Sequence, residues 1–153
     1  MDPRVATILA TGLPDRATDR LRRAVEYAVI AANELAHPTI DVNLLLCGLV
    51  RDGTGLAWNV LSNLDFNFNG FAGYISNQYE IDTIPLDGVS DNAKTAIIRS
   101  VDWMRRFNHS YLSTEHLLLG LIDDEKVAGT IEAFGVQAED VRHEVHGLLG
   151  FNS

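Results

Sequence analysis

The residues able to do chemistry in this chain lie in two short runs and one cysteine. His143-Glu-Val-His146 sets two imidazoles three residues apart in a helical stretch. A zinc-protease helix needs histidines four apart, so that both rings share a face, together with a third ligand. Neither condition is met, and both rings are read as solvated helix histidines. Glu115 stands beside His116, but no nucleophile accompanies them in the pattern, so no triad is assembled. Cys47, the only cysteine, cannot form an internal disulfide. Inside Leu-Leu-Leu-Cys-Gly-Leu it reads as a small core residue, because a reactive thiol needs exposure and a neighbour that stabilises the thiolate. Neither lysine, Lys94 or Lys126, follows a glycine. The Gly-x-x-x-x-Gly-Lys-Ser/Thr loop that cradles nucleotide phosphates is therefore missing. The expectation is no enzymatic activity, no ATPase, no metal and no cofactor.

The elements that position these residues occur twice. His37-Pro-Thr-Ile-Asp-Val-Asn-Leu-Leu-Leu-Cys-Gly-Leu-Val50 is answered by His109-Ser-Tyr-Leu-Ser-Thr-Glu-His-Leu-Leu-Leu-Gly-Leu-Ile122. The offset is 72 residues for His37 and His109, for Leu45 and Leu117, for Gly48 and Gly120, and for Thr18 and Ser90. That period exceeds those of solenoids, and two copies are too few for one, so the prediction is a pseudo-twofold pair in one body. Leu21, Ala24, Val25, Ala28, Ala32 and Leu35 mark one face of a first helix capped by Thr18. Ala93, Ala96, Ile97, Val101 and Met104 mark its twin behind Ser90. Next comes a helix apolar on nearly all sides, which belongs in the centre. Its glycine, costing up to about 1 kcal/mol against alanine, implies close approach of another helix. His37 and His109 fall at equivalent turns, with a shared capping or packing role. Third helices follow at 55–64 and 127–134, and a fourth at Val141, Val145, Leu148 and Leu149, with a weaker twin near Phe71, Tyr74 and Ile75. Trp58, Trp103 and Phe134 fill the core or the seam between repeats. With a short helix opened by Pro3, nine helices are expected in an all-α fold. Its parts are an N-terminal extension 1–16, repeat 1 at 17–79, a linker 80–89 and repeat 2 at 90–150.

The 153 residues suffice for one domain, and no apolar run approaches the ~20 residues of a membrane-spanning helix. The first residues lack the apolar stretch of a secretory signal, which points to the cytoplasm. Net charge is −9, with two lysines against ten arginines. An acidic surface without a basic patch repels phosphate backbones, so nucleic acid is not an expected partner.

Ser90-Asp-Asn-Ala-Lys94, then His109-Ser-Tyr-Leu-Ser-Thr-Glu-His-Leu-Leu-Leu-Gly-Leu121, Val127-Ala128 and the closing Val141-Arg-His-Glu-Val-His-Gly-Leu-Leu-Gly150 resemble the repeat of the Clp N-terminal domain of Clp-type AAA+ unfoldases. Residues 89–150 look like a close copy of its second repeat, and 17–79 like a diverged first. The resemblance implies a protein-recognition module for clients or adaptors, as a free-standing relative or an excised domain without its own ATPase ring. Two other roles fit a relative of this kind: an accessory subunit regulating assembly of the Clp protease, or a decoy sequestering phosphoarginine proteins or small-molecule ligands.

The resemblance also implies a phosphoarginine-type pocket. In repeat 2 its residues are Glu115, which would hold the guanidinium, and Thr114, with Val89 and Ser90 at the first helix start, where a hydroxyl and backbone amides would take the phosphate. Carboxylates pair bidentately with guanidinium, and helix N-termini favour anions. In repeat 1 the counterparts are Thr18 and Asn43, and an amide in place of the carboxylate makes that pocket degenerate. As residues alone, Glu115 complements the dipole of its helix and Ser90 caps one.

Overall fold

The structure, a computed structural model, describes residues 2–12, 14–77 and 85–149. Among these residues the chain forms nine α-helices and no strand. They are α1 (Pro3–Thr11), α2 (Asp19–Glu34), α3 (Val42–Asp52), α4 (Gly55–Asn63), α5 (Phe68–Ile75), α6 (Asp91–Arg106), α7 (Thr114–Ile122), α8 (Glu125–Ala133) and α9 (Ala138–Leu148), with a 3-10 turn at Pro14–Arg16. No described helix is long and apolar enough to cross a membrane.

The two long helices begin and end with the same chemistry. The Thr18 hydroxyl accepts from Leu21 N–H at 3.2 Å, and the Ser90 hydroxyl accepts from Ala93 N–H at 3.1 Å. Both helices run 16 residues. Both stop where Ala36 and Asn108 turn left-handed, at φ 53° and 58°. His37 N–H then bonds back to Ala32 O, and His109 N–H to Met104 O. The equivalent histidines thus close equivalent helix ends, the C-terminal arrangement that satisfies orphan carbonyls.

The apolar helices α3 and α7 lie across α2 and α6 at the two glycines. A Cβ on Gly48 would stand 2.2 Å from Ala24 O, and one on Gly120 would stand 2.2 Å from Ala96 O. Between the repeats, α3 packs on α7 and α8, and α4 on α7. Phe134 carries repeat 2 into a ring cluster with Phe66, Phe71 and Tyr74 of repeat 1. Trp58 stacks on Phe68 at 5.5 Å within repeat 1, and Trp103 on Phe107 at 5.9 Å within repeat 2.

Backbone pairing across the seam is exchanged between the repeats. Thr18 N–H donates to Leu112 O at 3.0 Å and Leu112 N–H to Arg16 O at 2.8 Å. The twin set is Ser90 N–H to Ile40 O at 3.0 Å and Ile40 N–H to Gly88 O at 2.8 Å. The same offset of 72 carries 16, 18 and 40 to 88, 90 and 112, so exchanging the repeats maps one set onto the other. This is the self-complementary contact of a twofold pair.

Within the expected extension 1–16, helix α1 packs onto both long helices. Val5 and Ile8 of α1 are buried against α2 and α6. Arg4 reaches the carbonyls of His37 and Pro38 and the side chain of Asn33. Within the expected linker, residues 80–84 lie outside the described residues, as do 78–79 and 150 at the repeat ends. Val89 is fully buried and bridged to Ile40.

Glycine 120 supplies a test. Gly120→Ala forces Cβ into the Ala96 carbonyl and the Ser100 hydroxyl, and is expected to destabilise by about 1–3 kcal/mol or more. Gly129→Ala, in α8 with nothing within 4 Å of its added Cβ, is expected to stabilise by about 0.5–1 kcal/mol. Urea denaturation of both variants reads the difference, and equal effects would contradict the crossing.

Candidate functional site

The candidate site grows from the start of α7. Ser113 is the N-cap, and His116, three residues on, returns to it: His116 Nδ1 accepts from Ser113 N–H at 2.9 Å. A ring nitrogen that accepts is unprotonated, so the proton of the neutral ring sits on Nε2. That nitrogen lies 2.8 Å from His109 Nδ1 and donates to it. His109 stacks in turn on Phe107 and Tyr111, both at 5.5 Å. His116 is fully buried, and burial, assisted by His109, pushes its pKa from 6.5 down to about 4. The ring is a neutral cap at pH 7, which occupies the only base beside Glu115.

Thr114 faces the other repeat. Its Oγ1 accepts from Ala57 N–H in α4 at 3.4 Å, and Gly55, at φ 88°, lets the chain pass close to it. Glu115 is 5% exposed, at the edge of the same helix start. Its Oε1 lies 3.9 Å from His116 Nδ1, where the neutral ring offers no ion pair.

The helix start beside these residues is Thr18's. The Thr18 and Ser113 hydroxyls share a hydrogen bond at 3.1 Å, next to the Thr18 N–H bond to Leu112 O. The structure thus brings Thr18, rather than Val89 and Ser90, beside Ser113 at the start of α7. Ser90 opens α6, whose 16 residues, about 24 Å of helix, separate it from the turn that leads into α7. Val89 and Ser90 instead join Ile40, hence the start of α3 and Asn43. The reason is the exchanged pairing: the segment ahead of each first helix pairs with the segment ahead of the other repeat's second helix. Val89 N–H is already taken by Asp87 Oδ1 at 3.2 Å and Ser90 N–H by Ile40 O.

Two sites of unequal chemistry result. One joins Thr18 and the α2 start to Ser113, the N-cap of the helix that carries Glu115. The other joins Ser90 and the α6 start to Ile40, just ahead of Asp41, the N-cap of the helix that carries Asn43. Asn43 is 1% exposed, and neither of its side-chain polar atoms has a partner; Thr39 Oγ1 nearby is likewise unpaired. Sequence reasoning missed Ser113, whose Ser-x-x-His spacing departs from the Ser-x-x-Glu capping pattern.

His143 is exposed as expected, but His146 is half-buried, edge-on to Trp103 and Phe107. No group of three or more potential metal ligands occurs among the described residues. Cys47 is buried, and burial pushes its thiol up to about 11, as befits a core residue.

Residues 88–152 match the family model of the Clp repeat (R) N-terminal domain. The chain is similar to chaperone protein ClpB of Oceanobacillus iheyensis, 32% identical over 90% of this chain, and to the negative regulator of genetic competence ClpC/MecB of Bacillus subtilis, 34% identical over 90%. It spans only 17% of the length of each. Among solved structures, the Hsp104 N-terminal domain of Candida albicans superposes with a TM-score of 0.75 at 15% identity, covering 89% of this chain and 93% of that one. The N-terminal domain of ClpD from Arabidopsis thaliana gives 0.64 at 20%, covering 90% and 97%.

The buried cap sets a pH dependence. The folded pKa of His116 lies below its unfolded value, so protons favour the unfolded chain. Its contribution is complete above pH 6.5 and is lost as pH falls toward 4, amounting to about 2–3 kcal/mol across that window. His116→Gln keeps an acceptor for Ser113 N–H but cannot titrate. Urea titrations from pH 7.5 to 4 are expected to show a shallower loss in this variant, and parallel curves would refute the assignment.

Proposed function

Because this chain carries the Clp repeat N-terminal domain, we propose that it is a non-enzymatic protein-recognition module, binding client proteins or adaptors of a Clp chaperone or protease system. The observation that supports this most is the exchanged twofold pair itself. It builds a rigid body with helix starts meeting across the seam, while the base beside Glu115, His116, is consumed in capping. A charged group at paired helix starts is recognition chemistry: the open first-turn amides favour an anion, and Glu115 favours a cation beside it.

The ligand-competent pocket of this reading is the crossed one, Thr18 and the α2 start with Glu115, and its ligand is a phosphorylated guanidinium. The site of Ser90 and Asn43 lacks the carboxylate and is the weaker of the two.

Two measurements test these readings. With the protein immobilised in native lysate, Clp components or diverse unfolded clients are expected in the eluate. A proteolytic-chamber subunit alone would instead favour the accessory role, and no enrichment over an unrelated helical protein would sink the proposal. Calorimetric titration with free phosphoarginine tests the pocket. Glu115→Gln is expected to weaken binding by roughly ten- to a hundredfold, as loss of a charge-assisted bond implies. Thr18→Ala should weaken it too, whereas Asn43→Ala and Ser90→Ala should change little. Losses at Ser90 matching those at Thr18 would refute the crossed pocket.

A further inference from the structure

A guanidinium fills one of two twin positions, and the other stands open. In repeat 1 the Arg4 guanidinium donates to the carbonyls of His37 and Pro38, at 3.3 Å each, and to Asn33 Oδ1. Its side chain runs over Gly88, where an added Cβ would stand 2.7 Å from Arg4 Cδ. The offset of 72 carries Asn33, His37 and Gly88 to Arg105, His109 and Arg16. Arg4 itself has no twin, because the same offset leads to Ser76, the C-cap of α5. Arg16, Arg105 and His109, with Met104 and Asn108, line a cleft of about 390 Å³.

The side-chain chemistry of that cleft is reversed. The amide that accepts from Arg4 has become the Arg105 guanidinium, and the glycine that lets Arg4 pass has become Arg16. Among the described residues neither guanidinium has an ion-pair or hydrogen-bond partner, whereas Arg4, Arg51 and Arg142 each pair with a carboxylate. Two cations facing one cleft repel each other, and an anion between them replaces repulsion by two charge-assisted contacts. His109 adds a neutral donor. Its Nδ1 accepts from His116 Nε2–H, so the proton of its neutral ring sits on Nε2. The buried cap at the start of α7 thereby fixes which nitrogen His109 offers. One guanidinium fork satisfies a carboxylate. Two forks and a further N–H match the three terminal oxygens and roughly −1.5 to −2 charge of a phosphate monoester. The two arginines stand far apart in sequence, and the exchanged pairing, with Leu112 N–H on Arg16 O, brings them to one cleft.

We propose that the cleft of Arg16, Arg105 and His109 binds a phosphate monoester, carried either by a phosphorylated serine or threonine of a partner protein or by a small metabolite. No carboxylate lines it, so it has nothing to hold a guanidinium and is chemically distinct from the pocket that uses Glu115. The proposal goes beyond the protein-recognition reading, and small phosphate esters test the cleft whatever becomes of client capture.

The probes are N-acetyl-O-phospho-L-serine amide and glycerol 3-phosphate, titrated at fixed ionic strength into the ¹⁵N-labelled full chain and followed by amide shifts. Saturable shifts are expected at 15–17 and 104–110. Arg16→Gln and Arg105→Gln are each expected to weaken binding by about tenfold, as loss of a charge-assisted bond implies. Both side chains are exposed and unpartnered, so these variants keep the fold. Arg99→Gln removes the same charge elsewhere on α6 and should change little. Tighter binding of the phosphoserine amide assigns the group to a partner protein, and tighter binding of glycerol 3-phosphate to a metabolite; either outcome supports the cleft. Absent or scattered shifts would overturn the proposal. So would equal binding of N-acetyl-L-aspartate amide, or a loss at Arg99 matching that at Arg105, since both mean unselective attraction to surface charge.

Discussion

Everything in this molecule hangs on how closely α3 and α7 approach the helices they cross. At Gly48 and Gly120 the missing Cβ lets the backbone of one helix rest on the carbonyl of another, at Ala24 and at Ala96. That proximity allows helices as short as 11 and 9 residues to be buried on nearly every side. Isolated helices of this length are marginal in water, so tertiary packing is what holds them. With α3 and α7 in place, their N-terminal ends have fixed positions, and the segments before them can reach only the start of the other repeat's long helix.

That constraint turns a duplicated sequence into a mixed site. Each pocket takes its first-helix start from one repeat and its second-helix start from the other, so a substitution in one repeat alters the chemistry opposite the other. In the proposed pockets Asn43 stands in place of a carboxylate on the side of Ser90, and Glu115 lies on the side of Thr18. Asn43, at the twin position of Glu115, is buried with neither side-chain polar atom hydrogen-bonded.

Most of the architecture was legible because it repeats in residue type. Hydroxyl caps, histidines after the first helix and interior glycines all recur at one offset, and each has a local physical meaning that needs no tertiary information. The exchanged seam was not legible, since both pairings are compatible with the same local patterns and only three-dimensional closure separates them. The capping role of His116 was not legible because a histidine at the third helical position is an uncommon return cap, and its tautomer depends on a backbone N–H that sequence does not place. His146 was read as solvated because its helix spacing says nothing of Trp103 and Phe107 on another element.

The departures from twofold symmetry carry as much as the symmetry. Helix α1 covers apolar surface from both long helices, and its cap Asp2 is held near pKa 2 chiefly by the Arg4 guanidinium that also ties down the turn at His37 and Pro38. The space left beneath it, about 20 Å³, admits no more than a water and is lined almost entirely by apolar atoms, so it stays closed. At the opposite edges, repeat 2 packs the rings of Trp103, Phe107 and His146 where repeat 1 has Ala31, Leu35 and Ser76. A duplicated domain presents two copies of every surface, and a partner recognising one copy gains specificity only if the other is altered. Here each pair of twin surfaces has one altered member: a pocket without its carboxylate, an edge packed with rings. Divergence at these sites, over a seam and crossing helices that keep one offset, leaves a twofold scaffold with unequal faces.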